Sequence, residues 1–271
     1  MIFHQNRVFF LFFVFVVAVI ITPGFCYSKD HVLKVGYQDA DGFPLVMGSG
    51  DAIGNPPGIG VDIITQVAKD LNLDLQVKRK PNKRIHVEFE RGTFDGSGFY
   101  SFSEKRLKEG VYPTINGVLD KRKRVYVLSY YMYAPKDSSV RWDGKQITGV
   151  ENPVVGANMG YSVVRDLKAL GIRVSEVRST RQNLKMLLFG RIHTYAVQDG
   201  TLDPVIARYK EYKHFVKVGP PIKTKEYYFM FSHQYYKNNK EMAHKIWDRI
   251  EVVRDSVISG YKKKDFMPVI E

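Results

Sequence analysis

The chain has 271 residues, 44% hydrophobic and 25% charged, which is material for one large or two medium domains and argues against general disorder. It holds one cysteine, Cys26, and a formal net charge of +13. No intrachain disulfide can therefore form. The histidines at 31, 86, 193, 214, 233 and 244 show no paired metal-ligand spacing, so a zinc site is not expected.

Arg7 precedes an unbroken apolar run from Val8 to Ile21, which Pro23-Gly24 end. Fourteen apolar residues are short for a bilayer span and suit the core of a secretory leader. The expectation is a signal peptide over 1–26, cut near Cys26 or Ser28, and a chain exported to the periplasm; an uncleaved anchor and a lipid on Cys26 are the weaker readings. Cleavage after Cys26 leaves a mature chain without a thiol. Basic runs at Lys78-Arg79-Lys80, Lys121-Arg122-Lys123-Arg124 and Lys262-Lys263-Lys264 then read as solvated faces rather than as a nucleic-acid footprint.

Val32 to Tyr37 predicts a strand, followed by a glycine- and proline-rich loop from Gln38 to Gly58, too long for a bare connection. Val61, Ile64, Val67 and Leu71 recur at helical spacing, Leu73, Leu75 and Val77 alternate as a strand, and Ile85 with Phe89 predicts a second helix ending at Gly92. Arg124 to Ala134 predicts a long aromatic strand. A second α/β alternation follows: a strand at Val154-Val155, a helix from Gly160-Tyr161-Ser162, a strand to Val177, a helix capped by Thr180, a strand at Thr194 to Val197 and a helix from Asp203-Pro204. Tyr227 to Phe231 predicts a second aromatic strand, and Met242, Ile246, Ile250 and Val253 mark one face of a final helix. The fold class is α/β, in two units with two long strands as candidate crossings.

No phosphate loop, nucleophile elbow or dinucleotide fingerprint occurs. Glu88 and Glu90 do not share a helix face and read as solvent-side residues. Binding chemistry is better represented. Phe94 to Arg106 passes from small residues to Ser101, Ser103 and Arg106, which offer hydroxyls and a guanidinium able to grip a carboxylate in two parallel hydrogen bonds. Gly160-Tyr161-Ser162 opens a helix whose free N–H groups favour an anion. Asp199 ends a strand at the edge where open α/β sheets bind ligands, and Phe43 is placed to stack on a ligand or to pin its loop.

Three stretches together resemble the bacterial extracellular solute-binding proteins of family 3, the polar amino-acid-binding type of the type II periplasmic fold. They are Gly58-Ile-Gly-Val-Asp-Ile-Ile-Thr-Gln-Val-Ala-Lys69, Ser101-Phe-Ser-Glu-Lys-Arg106 and Gly190-Arg-Ile through Gln198-Asp199. The resemblance covers essentially the whole mature chain. It implies two lobes, 27–133 with 225–271 and 134–224, joined by two hinge strands and closing on a ligand. It further implies that Arg106 holds an α-carboxylate with Ser101 and the helix start at Gly160 to Ser162, and that Asp199 holds an α-ammonium. Bulky Phe99 and Tyr100 stand where the family has Gly-Met, and only Phe43-Pro44 remain of its aromatic loop motif, so these residues are expected to reshape the pocket. The expectation is a monomeric, cofactor-free, non-enzymatic binder of a small zwitterionic or anionic solute. It would serve an inner-membrane permease of the ABC type. A periplasmic sensor module reporting to a membrane protein and a dehydratase on the same fold are the alternatives.

Overall fold

The computed structural model describes residues 31–263. The expected leader at 1–26, with its cleavage site, lies outside the described residues, as does Lys264 of the last basic run. Among the described residues no helix is long and apolar enough to cross a membrane.

One nine-stranded sheet runs through the molecule. Its strands are β1 (His31–Gln38), β2 (Leu73–Lys80), β3 (Gly96–Ser101), β4 (Tyr126–Pro135), β5 (Val154–Asn158), β6 (Arg173–Val177), β7 (Thr194–Gln198), β8 (Phe215–Lys217) and β9 (Lys223–Phe231). The order is β6-β5-β7-β4-β9-β3-β1-β2, with β8 paired to β4. Two parallel blocks, β2-β1-β3 and β6-β5-β7, are joined by the antiparallel pair β4 and β9.

Each crossing strand changes partner at a tyrosine. Strand β4 pairs with β9 from Tyr126 to Tyr130 and with β7 from Tyr130 to Tyr133, so Tyr130 faces both Lys223 and Gln198. Strand β9 pairs with β4 up to Tyr227 and with β3 from Tyr227 onward. The period-2 alternation of a strand distributes β9 between two cores. Tyr227, Phe229 and Phe231 enter one with α1 (Ile59–Asp70) and α7 (Lys240–Lys263), while Tyr228 and Met230 enter another with α2 (Asn82–Glu90). Past the crossing, β4 sends Tyr130, Met132 and Ala134 into a core with α3 (Ser162–Ala169). Its Tyr133 enters a core with α4 (Thr180–Leu188) and α5 (Asp199–Arg208). Each half of the sheet is thus covered on both faces, and the halves have separate cores. A short helix, α6 (His233–Asn238), leads into α7.

Four local expectations are corrected. The cap of α4 is Ser179 rather than Thr180: its hydroxyl accepts from Gln182 N, and the Gln182 side chain returns to the Ser179 N–H in a capping box. Helix α5 begins at Asp199 rather than Asp203, so Pro204 lies inside it. Of the basic run at Lys78 to Lys80, Arg79 is buried, 4% exposed, instead of solvated. Glu88 is buried too, because Lys80 Nζ and Arg84 Nε meet its carboxylate, each at 2.7 Å. Both guanidinium and carboxylate tolerate burial because each is fully partnered.

Candidate functional site

A cleft with an empty volume of about 690 Å³, part of it open to solvent, lies between the two halves. Its walls come from the C-terminal end of β1 (Tyr37, Gln38), the following loop (Gly42, Leu45, Val46), the start of α2 (Asn82) and β3 with its continuation (Gly98, Phe99, Tyr100, Ser101, Arg106). The other half adds Gly160, Tyr161, Ser162 and Gln198, and the crossing strands supply Leu128, Tyr130 and Tyr227 as a floor.

Seven of the nine residues singled out in the sequence therefore share this cleft: Phe99, Tyr100, Ser101, Arg106, Gly160, Tyr161 and Ser162. Two do not. Phe43 is 7% exposed and stays out of the wall. Its contribution is a backbone one, its carbonyl accepting from Thr201 Oγ1 across the cleft at 2.9 Å. Asp199 also stands outside the wall. As the first residue of α5 it turns Oδ1 to the N–H groups of Ser129 (3.2 Å) and Gly200 (2.8 Å), satisfying free donors at a helix start. Gln198, one residue earlier and paired with Tyr130 on β4, occupies the cleft position instead. The strand ends at Gln198 and the helix starts at Asp199, so the chain turns between them and the two side chains take different surroundings.

The charged anchor is positioned by neutral groups. After β3 the chain enters a single 3-10 turn, Glu104–Lys108, which brings Arg106 back beside the strand end. Its Nη1 donates to the Ser101 carbonyl at 2.7 Å and to Ser101 Oγ at 3.2 Å, and the guanidinium lies 5.2 Å from the Tyr100 ring centre. Tyr112 OH donates to the same carbonyl at 2.9 Å. Among the described residues no carboxylate pairs with Arg106; Glu109, three residues on, is held by His86 Nδ1 at 3.0 Å.

Phe99 forms an apolar side of the cleft. It stacks on Tyr37, with ring centres 5.5 Å apart, and leans on Phe229. Gly60 in α1 makes room for it, for a Cβ there would lie 2.4 Å from the Phe99 ring. Tyr100 points toward Asn82, its hydroxyl 3.4 Å from Oδ1, and packs beside His86.

On the floor, Gln198 Nε2 donates to Tyr227 OH (2.7 Å) and Tyr130 OH (3.1 Å), and Tyr227 OH donates to Tyr130 OH (3.2 Å). Burial pushes the Tyr227 phenol up to about 12 and raises those of Tyr37, Tyr100, Tyr130 and Tyr161. All five are neutral hydroxyls at neutral pH. At the start of α3, Gly160 takes φ +78° and Ser162 Oγ accepts from Lys225 Nζ at 2.8 Å. Lys225 also pairs with Asp166, and burial lowers its pKa against the pull of that carboxylate. Among the described residues, Arg106 is the one charged side chain in the wall.

The glycine-rich loop that supplies Gly42, Leu45 and Val46 is fastened from beneath. Arg79 donates to the carbonyls of Gln38 (3.0 Å), Ala40 (3.2 Å), Met47 (3.2 Å), Gly48 (2.8 Å) and Ala52.

Sequence reasoning missed Tyr37, Gln38, Asn82, Tyr130, Gln198 and Tyr227. Tyr37 and Gln38 had a usable signal, the C-terminal end of a parallel strand. Tyr130 and Tyr227 had none, because only the sheet order shows where the crossing strands exchange partners.

No family model matches the sequence, and no curated protein matches it in sequence. Solved structures do match in shape. The GluR0 ligand-binding core from Nostoc punctiforme in complex with L-glutamate superposes with a TM-score of 0.66 at 13% identity, over 85% of this chain and 98% of its own. An ancestral arginine-binding protein bound to glutamine gives 0.64 at 17% identity, over 88% and 99%. A histidine kinase sensor domain similar to periplasmic binding proteins gives 0.65 at 14% identity, over 89% and 98%. With the sheet order and the paired cores, these likenesses establish the chain's fold as the two-lobed type II fold of periplasmic binding proteins.

Proposed function

We propose that the protein captures a small polar solute, zwitterionic or anionic, between its two lobes and performs no chemistry on it. One observation carries this reading: Arg106 stands half-buried in an inter-lobe cleft with neutral hydrogen-bond partners only, and among the described residues no carboxylate pairs with it. A cation in a partly desolvated site attracts an anion far more strongly than it would in water. The proposed lobes are 27–133 with 225–271 and 134–224, and β4 and β9 serve as the proposed hinge strands. The apolar run at Val8 to Ile21 directs the chain to the periplasm, where delivery to a membrane permease is the favoured use.

A sensor role is the second reading, favoured by the likeness to a kinase sensor domain. Against an enzyme stands the cleft wall, which among the described residues contains no Asp or Glu to serve as general acid.

The test is a thermal-shift screen against amino acids, amines and small organic acids, followed by titration calorimetry of Arg106→Ala with the best ligand. The substitution is expected to weaken binding by about 2–5 kcal/mol, as when a buried charge pair loses one partner, with the unfolding temperature of the free protein little changed. Equal affinity for the wild type and the variant removes Arg106 as the anchor.

A further inference from the structure

Resting on the reading of this cleft as a solute site, we infer that its ligand is a carboxylate without an ammonium group: a hydroxy, keto or unsubstituted acid rather than an α-amino acid. An ammonium brings three donors and a positive charge, and needs acceptors, above all a carboxylate, to replace its water. Among the described residues the cleft wall has no carboxylate. The acids around it are engaged elsewhere. Glu109 meets His86, Asp166 meets Lys225, Asp199 accepts from Ser129 N and Gly200 N, and Asp41 Oδ1 accepts from Gly48 N at 3.2 Å.

On the floor of the cleft the polar groups are arranged as donors. Gln198 Oε1 accepts from Thr201 Oγ1 at 3.2 Å, which fixes its amide with Nε2 toward the tyrosines. Tyr130 OH accepts from both Gln198 Nε2 and Tyr227 OH, so its own proton remains to be given. The Tyr37 hydroxyl, fully buried in the wall, has no hydrogen-bond partner. Such an orphaned buried group is satisfied when a ligand atom reaches it. A guanidinium for the carboxylate and a neutral hydroxyl cluster for a hydroxyl or carbonyl oxygen make a site for an acid whose second polar atom is oxygen. Gln198 is the specificity-determining residue, since at its position a carboxylate would invert the preference.

The experiment is titration calorimetry of the purified protein with matched pairs differing only at the α-substituent: L-phenylalanine and L-3-phenyllactate, L-leucine and L-2-hydroxyisocaproate, L-glutamate and L-2-hydroxyglutarate. The expected result is that in the best-bound pair the hydroxy acid binds at least tenfold more tightly than the amino acid, and that Arg106→Ala weakens both members of the pair at least tenfold. Gln198→Glu, checked for an unchanged unfolding temperature, is expected to improve the amino acid at least tenfold relative to its hydroxy partner. An amino acid bound as tightly as its partner by the wild type overturns the inference and leaves the solute site standing. If only an amine or a sugar in a parallel thermal-shift panel stabilises the protein, the inference falls and the zwitterionic or anionic reading of the site falls with it. Silence from every probe overturns both.

Discussion

Arg79 is the residue whose replacement most directly tests how the cleft is held. Its side chain donates to five carbonyls spread from Gln38 to Ala52, and only 4% of the residue is exposed. Hydrogen bonds to a charged donor contribute about 1.5–3 kcal/mol each, but five around one guanidinium are not additive. Burial also works against the charge and lowers its pKa, opposed by the nearby carboxylates of Asp41, Asp39 and Asp51. The net loss on breaking such a buried network is about 3–5 kcal/mol. For a chain of this size that corresponds to a fall of about 6–20 °C in unfolding temperature. Arg79→Met keeps the stem and removes the donors, and Arg79→Lys, with one ammonium for five carbonyls, is expected to recover less than half of the loss. Urea unfolding gives the stability, and limited proteolysis gives the local effect, with new cleavage expected between residues 38 and 58. A loss under about 1 kcal/mol with an unchanged cleavage pattern would refute the assignment of Arg79 as the pin of this loop.

Two further outcomes follow from the packing and the buried phenols. Gly60→Ala drives a methyl group into the Phe99 ring and is expected to cost about 1–3 kcal/mol of stability by overpacking; it also shifts Phe99 in the cleft, so ligand affinity falls with it, and urea unfolding alongside titration checks both. The phenols of Tyr37, Tyr130, Tyr195 and Tyr228 are raised above the ordinary value of 10 by burial. A group whose folded pKa is raised contributes stability that is full below its unfolded pKa and is lost as pH climbs toward the folded one. The protein is therefore expected to lose stability progressively above about pH 10. Absorbance at the phenolate band should show these tyrosines ionising together with loss of circular dichroism; their smooth titration near 10 in a protein that keeps its dichroism would contradict it.

Much of the architecture was legible because it rests on local periodicity. The helical recurrence through Val61, Ile64 and Val67, the alternation at Leu73 to Val77 and the stops at Gly92 and Gly171 all correspond to elements of the fold. Gly58 to Lys69 was legible as a motif, though its residues act in packing: Gly60 admits Phe99, and Asp62 accepts from Tyr261 OH at 2.6 Å near the end of the chain. Elsewhere the competing force was non-local. Arg79 reads as one of three basic residues in a row, and nothing within the run distinguishes the one that five distant carbonyls draw inward. Glu88 has a partner within helix pairing distance in Arg84, but the second cation that buries it, Lys80, lies eight residues away on β2, beyond any helix pairing rule.

The exchange between Asp199 and Gln198 turns on a single step of the chain. They are adjacent where β7 gives way to α5 and both are polar, so the sequence alone favours the charged one. The structure divides them by role: the helix start needs an acceptor for its free N–H groups and takes Asp199, while the register of β7 on β4 sets Gln198 opposite Tyr130. Tyr130 is also where β4 leaves β9, and Tyr227 is where β9 leaves β4 for β3. The floor of the cleft is thus built at the two points where the sheet passes from one lobe to the other. On the proposed reading, a ligand gripped by Arg106 and resting on Tyr130 and Tyr227 would reach the second half of the sheet through Gly160, Tyr161, Ser162 and Gln198. Ligand contacts shared between the halves are the kind that favour one arrangement of them over another.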